Sequence, residues 1–197
     1  MDYNKIKALY QSKRYAFYTG NHNLNILVVR NDVEPKPNTY NDTLVIVTDI
    51  DNKHTLVECK CTSIPGTHWL NNPMEPILGA GAIAEGQYIG LWYMGKFHGT
   101  DALLEKNPIK MYRDNDRDND FDFDTKSITT GNYCVFAHQS FAGSYPKTVD
   151  KSSAGCIVPQ QLTDYVRVME MCKKQIASGL GNSFTLTLIK LSDYNKI

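Results

Sequence analysis

The sequence predicts a mainly β domain that carries one amphipathic helix and a final strand near its C-terminus. Three segments in the first half, LNILVVRN, DTLVIVTDI and HTLVECKCT, are rich in β-branched residues and lie between clusters of Asn, Asp, Pro and Gly. Short runs of this composition, bounded by turn residues, are typical of β-strands. A long segment with apolar residues at helical spacing is found only near the C-terminus.

The remaining elements follow in chain order. A short helix is expected over Tyr3–Lys13, before the first strand, and four further strands are expected at QYIGLWYMG, PIKMYRD, NYCVFAH and SFTLTLIKL. Between the last two, five apolar residues recur at helical spacing, namely Leu162, Val166, Met169, Cys172 and Ile176. With Pro159 near the start and Gly179 after the end, this spacing predicts a helix over 160–178. We expect mostly antiparallel pairing in a single domain spanning 1–197.

Composition and charge exclude several classes of partner. The chain has 197 residues, and its 21 Lys and Arg balance its 21 Asp and Glu, so no net field favours nucleic acid or an anionic membrane surface. No apolar run approaches the roughly 20 residues of a transmembrane helix. The first fifteen residues also lack the apolar stretch and cleavage site of a signal peptide. We therefore expect a soluble protein, made in the cytoplasm, with no nucleic-acid partner and no membrane insertion; the oligomeric state is left open.

Two groups of residues could suggest a metal-binding site, and neither matches the residue spacing of a known zinc or calcium site. Cys59 and Cys61 share one face of a predicted strand with His54 and His68 nearby, but the spacing fits no paired CxxC zinc site. The Asp-rich run over 113–124 lacks the Gly and Glu of a calcium-binding EF-hand loop at the two defining positions. We expect ordinary thiols, a solvated loop, and neither metal nor cofactor.

The stretch AHQSFAGSYPKTVDKSSAGCIVP, over 137–159, carries the strongest functional signal. It places His138 and Cys156 at the two ends of a Gly- and Ser-rich loop. A thiol attacks a carbonyl as thiolate, and a neighbouring imidazole lowers the pKa of the thiol and stores its proton. Gly155 lets the backbone turn its amides toward an oxyanion. These residues predict acyl transfer, with Cys156 as nucleophile and His138 as base.

The motif resembles that of the L,D-transpeptidase (YkuD-type) catalytic domain. His138 is followed, after fourteen residues, by Ser153-Ala154-Gly155-Cys156, and the family motif is a His, about fourteen to seventeen residues, then Ser/Thr-His-Gly-Cys. The resemblance extends loosely over 24–191, including TSIPGTHWL and EGQYIGLW. It implies an L,D-transpeptidase-like β-sandwich with the motif region at 138–158.

The sequence departs from this family at two positions. Ala154 replaces a His and Val158 replaces an Arg, and both family residues would have lined the substrate pocket. A similar Ser-Ala-Gly-Cys variant occurs in small phage-associated and Bacteroidetes-type relatives, which suggests a phage or prophage protein that acts on the cell wall.

The resemblance implies roles for the motif residues. Cys156 attacks the carbonyl of an L,D amide in a peptidoglycan stem peptide, and His138 shuttles the proton. The backbone amides of Gly155 and Cys156 hold the oxyanion, and Ser153 braces the loop. Transfer of the acyl group to an amine gives a cross-link, and transfer to water gives carboxypeptidase or endopeptidase activity. The candidate substrate-binding residues are Ala154, Tyr145 and His98.

Other interpretations remain open on the sequence. The chain could be a non-catalytic binding or virion structural module that keeps the fold, or a cysteine peptidase that acts on proteins. Four aromatic residues could line a groove or pack in the core, namely Trp92, Tyr133, Phe141 and Tyr145. Cys134 is predicted to be a buried thiol. For the enzyme, we expect the His138 imidazole within hydrogen-bond reach of the Cys156 sulfur, or one small rotamer change away, in an open cleft.

Overall fold

Ten strands and four α-helices make up the chain in a computed structural model that describes all residues from Met1 to Ile197. The helices are α1 (Tyr3–Ser12), α2 (Thr67–Asn71), α3 (Leu162–Gln175) and α4 (Leu191–Asn195). The strands are β1 (Asn25–Arg30), β2 (Asp42–Ile50), β3 (Lys53–Thr62), β4 (Ala80–Ile83), β5 (Gly86–Phe97), β6 (Thr100–Glu105), β7 (Ile109–Asp114), β8 (Thr129–Gly131), β9 (Val158–Pro159) and β10 (Phe184–Lys190). A 3₁₀ turn (Thr125–Ser127) precedes β8, and a π-helical turn (Ile176–Leu180) extends α3.

The strands form two sheets. Seven of them form the larger sheet, in the order β6-β5-β10-β1-β2-β3-β9, and the smaller sheet has the order β4-β7-β8. All neighbours pair in antiparallel fashion except β1 and β10, which are parallel. The prediction of mostly antiparallel strands is therefore confirmed.

A short segment around Ala137 joins the two edges of the larger sheet. On one side Ala137 exchanges two backbone hydrogen bonds with Leu103 of β6, at 2.9 and 3.0 Å. On the other side Ile157, directly before β9, donates to the Phe136 carbonyl at 2.9 Å, and its own carbonyl accepts from His138 at 3.2 Å. The seven-stranded sheet thus curls until its first and last strands are bridged by a single extended segment.

The central strand β1 is buried on both faces. Ile26 and Val28 point into the largest apolar cluster, which also receives side chains from α3 and from the smaller sheet. Leu27 and Val29 point the other way, into a cluster formed with α1 and α4. Burial on both faces explains why this strand reads as a nearly continuous apolar run rather than as an alternating one.

The mainly β class, the C-terminal helix, the final strand and the N-terminal helix are confirmed. The predicted strand over 132–138 is wrong, because β8 ends at Gly131 and Cys134 adopts a φ of 57°, which lies outside the β region. Only Ala137 of that segment forms a bridge.

The predicted buried face of the C-terminal helix is also corrected. Leu162 and Val166 are 39% and 50% exposed. The residues of α3 that are buried are Tyr165, Val168, Met169, Met171, Cys172 and Gln175. The buried face is rotated because Tyr165, rather than Val166, points into the interior of the curled sheet.

The Asp-rich run forms an exposed loop, as predicted, after Arg113 and Asp114, which end β7. Its carboxylates accept hydrogen bonds from its own backbone: Asp118 accepts from the Asp120 amide at 2.7 Å, and Asp114 accepts from the Asp122 amide at 3.1 Å. The first of these bonds is an Asx turn, which is a common reason for Asp in loops, and the second closes the loop over eight residues. Elsewhere, none of the helices has the length and apolar character needed to cross a bilayer.

A buried arginine ties the two sheets together. Arg30, at the end of β1, is 3% exposed and donates through Nη2 to the Ile83 carbonyl of β4 at 2.8 Å. Its Nε donates to Ser63 Oγ at 3.0 Å, and its Nη1 pairs with Glu85 at 3.0 Å. A buried guanidinium is stabilising only when its donors are satisfied in this way.

Replacing Arg30 with Leu should lower the free energy of unfolding by about 3 kcal/mol, because the Glu85 carboxylate and two carbonyl groups lose their buried partner. Arg167→Leu is the matched control, since Arg167 is exposed on α3 and should change stability by less than about 0.5 kcal/mol. Urea titration measures both. Equal effects would mean that Arg30 does not connect the sheets.

Candidate functional site

His138 and Cys156 line the same cavity, whose volume is about 520 Å³. The cavity lies where the segment that closes the larger sheet meets the smaller sheet. Its walls are largely apolar and aromatic, with contributions from Trp69, Phe97, Met111, Tyr133, Phe136 and Phe141. An apolar concavity with few polar groups is the usual setting of a ligand site.

The loop before Cys156 is held by the turn that follows β3. Gly66 in this turn donates its amide to the Ser153 carbonyl at 2.9 Å, and Trp69 donates its indole N–H to the Lys151 carbonyl at 3.1 Å. A Cβ on Gly66 would lie 2.2 Å from the Asp150 carbonyl oxygen. The TSIPGTHWL turn, which the family resemblance included, therefore supports the motif loop directly.

Ser153 braces the loop from within. Its hydroxyl donates to the Cys156 carbonyl at 2.8 Å and accepts from the Gly155 amide at 3.1 Å. This corrects the role expected of Gly155, because its N–H is already bonded and is not free for an oxyanion. The amides of Ala154 and Cys156 donate to no acceptor in the protein. The amide of Ser153 is unbonded as well, so Gly155 is the one residue of the Ser153–Cys156 loop whose amide is occupied.

Gly155 has a second, steric role. Its φ of +122° is a conformation that other residues rarely adopt, and a Cβ there would lie 2.3 Å from the carbonyl oxygen of Gly81 in β4. No side chain fits at that separation. Gly155 thus allows the Ser153–Cys156 loop to contact the backbone of the smaller sheet.

The thiol of Cys156 is partly buried and held by backbone groups. Its sulfur accepts from the Phe136 amide at 3.4 Å and donates to the Cys134 carbonyl at 3.7 Å. Burial raises the pKa of the Cys156 thiol to about 11, and the hydrogen bond from Phe136 opposes this shift. The thiol is therefore protonated at neutral pH, unlike the activated thiolate that the sequence suggested.

The imidazole of His138 is fixed between aromatic rings. It is 4% exposed and lies 5.1 Å from the Phe97 ring and 5.5 Å from the Phe141 ring, centroid to centroid. Its Nδ1 lies 2.8 Å from the Gln139 carbonyl; since a carbonyl only accepts, Nδ1 carries the proton and Nε2 the lone pair. Burial lowers the pKa of His138, and the neighbouring His98 acts in the same direction.

No hydrogen bond joins the two candidate catalytic groups. The Cys156 sulfur is bonded to Phe136 and Cys134, and His138 is bonded to Gln139. Both groups are neutral at pH 7, because burial raises the pKa of the thiol and lowers the pKa of the imidazole. The arrangement offers a neutral thiol and a neutral base that share one cavity, rather than a preformed thiolate–imidazolium pair.

The other predicted site residues divide into two groups. Ala154 and His98 line the cavity, whereas Tyr145 does not and is 57% exposed on the surface. Of the aromatic candidates, Tyr133 and Phe141 line the cavity, and Trp92 is fully buried in the core, where its indole donates to the Val135 carbonyl at 2.8 Å.

Cys134 is exposed and lines the cavity, so its predicted burial is wrong. The cause is the left-handed backbone at this residue. Glu105 accepts from the amides of Tyr133 and Val135 at 2.9 and 2.8 Å, which bends the chain and turns the Cys134 side chain outward.

Two residues near the cavity were missed in the sequence. Glu105 gives no local signal, since the backbone amides that donate to it lie 28 and 30 residues away. Arg113 was included in the Asp-rich loop, yet it lines the cavity. A signal was present, because Arg113 follows Ile109 and Met111 at a spacing of two and so shares the apolar face of β7.

The residues considered for metal binding have other partners. His54 stacks on Tyr3 and pairs with Asp49 at 2.7 Å, and Cys59 and Cys61 are buried. No group of three or more His, Cys, Asp or Glu side chains is placed to hold a metal ion.

Comparisons with known proteins give no relative. No protein-family model matches the chain, and neither the curated proteins nor the solved structures contain a significant match.

The Gly155→Ala variant should lose at least about 3 kcal/mol of stability or fail to fold, because the new Cβ meets the Gly81 carbonyl in addition to the unfavourable φ. Gly143 is the matched control: its φ is +116°, and nothing lies within 4 Å of its Cβ position. Gly143→Ala should therefore cost only the strain of φ, about 1 kcal/mol. Thermal and urea unfolding compare the two, and equal losses would contradict the close approach of Gly155 to β4.

Alkylation of Cys156 by iodoacetamide should accelerate about tenfold per pH unit from roughly pH 6 to pH 10, without a plateau near neutrality. Only the thiolate reacts, and a pKa of about 11 leaves roughly one thiol in ten thousand ionised at pH 7. Peptide mapping by mass spectrometry separates Cys156 from the exposed Cys134, and 2-mercaptoethanol serves as the reference thiol. A plateau below about pH 8 would instead indicate a thiolate–imidazolium pair.

Proposed function

We propose that this chain is an L,D-transpeptidase-like enzyme that uses Cys156 to transfer or hydrolyse acyl groups at L,D amide bonds of peptidoglycan stem peptides. The observation that carries the proposal is the convergence of His138 and the Ser153-Ala154-Gly155-Cys156 loop on one cavity. The two ends of this motif are separated in sequence by a loop, and they meet only through the folding of the chain.

The chemistry follows from the protonation states of the two groups. As the Cys156 sulfur attacks the carbonyl carbon, its proton passes to Nε2 of His138, and the carbon–sulfur bond forms while the carbonyl becomes an oxyanion. Collapse of this intermediate breaks the carbon–nitrogen bond, and the amine leaves with the proton held by His138. A thioester remains, which an amine or a water molecule then attacks.

Two features of the site support this sequence of steps. The Nδ1 hydrogen bond of His138 to the Gln139 carbonyl fixes the tautomer that a base needs. The unbonded amides of Ala154 and Cys156 are the donors for the oxyanion, in place of Gly155. The imidazole and the thiol are not hydrogen-bonded to each other in the resting state, and catalytic contacts of this kind often tighten when substrate binds.

The specific fold of this family is part of the proposal. The curled seven-stranded sheet, the smaller sheet packed against it and the C-terminal helix support such a fold, as does the TSIPGTHWL turn that holds the motif loop. The Ser-Ala-Gly-Cys variant further supports a phage or prophage protein that acts on the cell wall.

A second candidate function is a non-catalytic binding module. The observation that favours it is the neutral thiol of Cys156, whose pKa is raised to about 11 and whose hydrogen bonds involve backbone groups rather than His138. An inert thiol would have the same properties, so turnover decides between the two functions.

Cys156→Ala should abolish formation of a covalent adduct between the protein and a stem tetrapeptide, because the nucleophilic sulfur is absent. His138→Ala should reduce the rate at least about a hundredfold, since a positioned base contributes roughly 10² to 10⁴. Intact-protein mass spectrometry detects the adduct, and mass spectrometry of muropeptides detects the products.

Cys172→Ala is the control, because Cys172 is a fully buried thiol of α3 that should affect stability and not turnover. Cysteine peptidase activity on proteins would appear as cleavage of ordinary L,L peptides. If the wild-type protein forms no adduct with a stem peptide and leaves muropeptides unchanged, the binding-module interpretation replaces the enzyme.

A further inference from the structure

Arg113 lies on the cavity wall with most of its donors unused. Its Nε donates to Thr129 Oγ1 at 2.9 Å, and its guanidinium carbon lies 4.2 Å from the centroid of the Tyr133 ring. Neither of its amino groups donates to a protein acceptor, and Nη2 is buried as well. No ion pair of the chain includes Arg113. The residue is a cation held in place without an anion.

The contrast with Arg30 makes this arrangement informative. Arg30 is also held between strands, but all three of its guanidinium nitrogens have acceptors and one of them pairs with Glu85. Shielded polar groups in folded proteins are almost always hydrogen-bonded, and an exception requires an explanation. Nη1 also lacks an acceptor but is not buried, so it is the amino group that can donate a charge-assisted hydrogen bond to a carboxylate in the cavity.

The guanidinium also lies next to the Ser153–Cys156 loop. Its Nη1 is 3.0 Å from the Cβ position of Gly81, and the carbonyl of Gly81 is the group that a Cβ on Gly155 would meet at 2.3 Å. Gly81 therefore lies between Arg113 and Gly155, the residue before Cys156, and neither glycine carries a side chain. Arg113 and Cys156 line the same cavity.

The charges around the cavity favour an anion. Besides Arg113, the charged side chains of the lining are Lys151 and Glu75, with His98 and His138 also present. Glu75 is exposed and forms no ion pair with Arg113. The only carboxylate of the lining thus leaves the guanidinium unpaired.

We infer that Arg113 binds a carboxylate of the acyl donor and selects peptides that carry a free carboxylate close to the amide that Cys156 attacks. This inference rests on the proposed function of Cys156 for the identity of the peptide, but not for the binding of a carboxylate. The motif itself supplies no guanidinium, because Val158 follows Cys156-Ile157 where the family has an Arg. Arg113 of β7 supplies one to the cavity instead.

A pair of reagents tests the subsite without turnover. Iodoacetate and iodoacetamide react with the same thiolate and differ in their carboxylate, so the ratio of their rates at Cys156 does not depend on the thiol pKa. Relative to 2-mercaptoethanol, the wild-type protein should favour iodoacetate on the order of tenfold, the effect of one charge-assisted contact. Peptide mapping reports Cys156 separately from Cys134.

Three variants identify the source of the preference. Arg113→Gln should abolish it, and Arg113→Lys should lose most of it, because a lysine has no Nε to bond Thr129 and its ammonium group is not held at the position of Nη1. Lys110→Gln is the matched control, since Lys110 lies on the same strand, carries the same charge and points away from the cavity; the preference should persist there. The carboxylate subsite would be overturned if the ratio of the iodoacetate and iodoacetamide rates were the same in the wild type and in Arg113→Gln. It would also be overturned if Arg113→Lys kept the full preference for iodoacetate.

Peptide substrates then identify the carboxylate. Stem tetrapeptides with a free C-terminal carboxylate, with a C-terminal carboxamide, and with an amidated side-chain carboxylate are compared by kcat and KM. Amidation of the carboxylate that Arg113 binds should raise KM about tenfold in the wild type. The same amidation should have no effect on KM in Arg113→Gln. If no peptide is processed while the reagent preference holds, the proposed reaction fails and the subsite stands. If peptides are processed with no dependence on Arg113, the subsite fails and the reaction stands.

Discussion

The architecture depends on the backbone hydrogen bonds that bridge the two edges of the seven-stranded sheet. Ala137 pairs with Leu103 of β6 on one side, and the chain around it pairs with Ile157 on the other. An open edge of this kind would expose unpaired backbone groups, which proteins avoid. Because His138 is the next residue after Ala137, and Cys156 is the residue before Ile157, the contact that closes the sheet also brings the two candidate catalytic groups to one cavity.

The same closure explains the electrostatic state of the site. The segment that joins the edges is surrounded by aromatic rings and by the smaller sheet, so both the thiol and the imidazole lose water. Desolvation disfavours the charged form of each group, which raises the pKa of Cys156 and lowers the pKa of His138. In the proposed reaction, the thiol therefore stays protonated until a substrate arrives, and proton transfer accompanies the attack. The raised pKa of the thiol is a consequence of its burial by the fold.

The sequence predicted the regular parts of the structure and failed where contacts between distant residues determine the conformation. Strands β1, β2 and β3 follow from their β-branched composition, and α1 and α3 fall close to the expected positions. NYCVFAH resembles a strand in composition, but Glu105 binds the amides on both sides of Cys134 and imposes a left-handed residue. The motif predicted that His138 and Cys156 share one cavity, since these two residues lie at the two ends of a single loop. It did not predict that Ser153 would occupy the Gly155 amide, because that bond depends on the folded shape of the loop.

Gly155 shows how one motif residue can have a different physical role from the one its position suggests. A glycine before a nucleophilic cysteine suggests an amide aimed at an oxyanion, but in this chain the missing Cβ is what matters, since the Gly81 carbonyl occupies its place. Gly81 also lies against the Arg113 guanidinium. The contact between the two glycines therefore allows the Ser153–Cys156 loop to pack against the backbone of the smaller sheet, next to the Arg113 side chain. A family motif describes the loop alone, whereas the proposed carboxylate subsite lies on β7, in the smaller sheet that the loop touches.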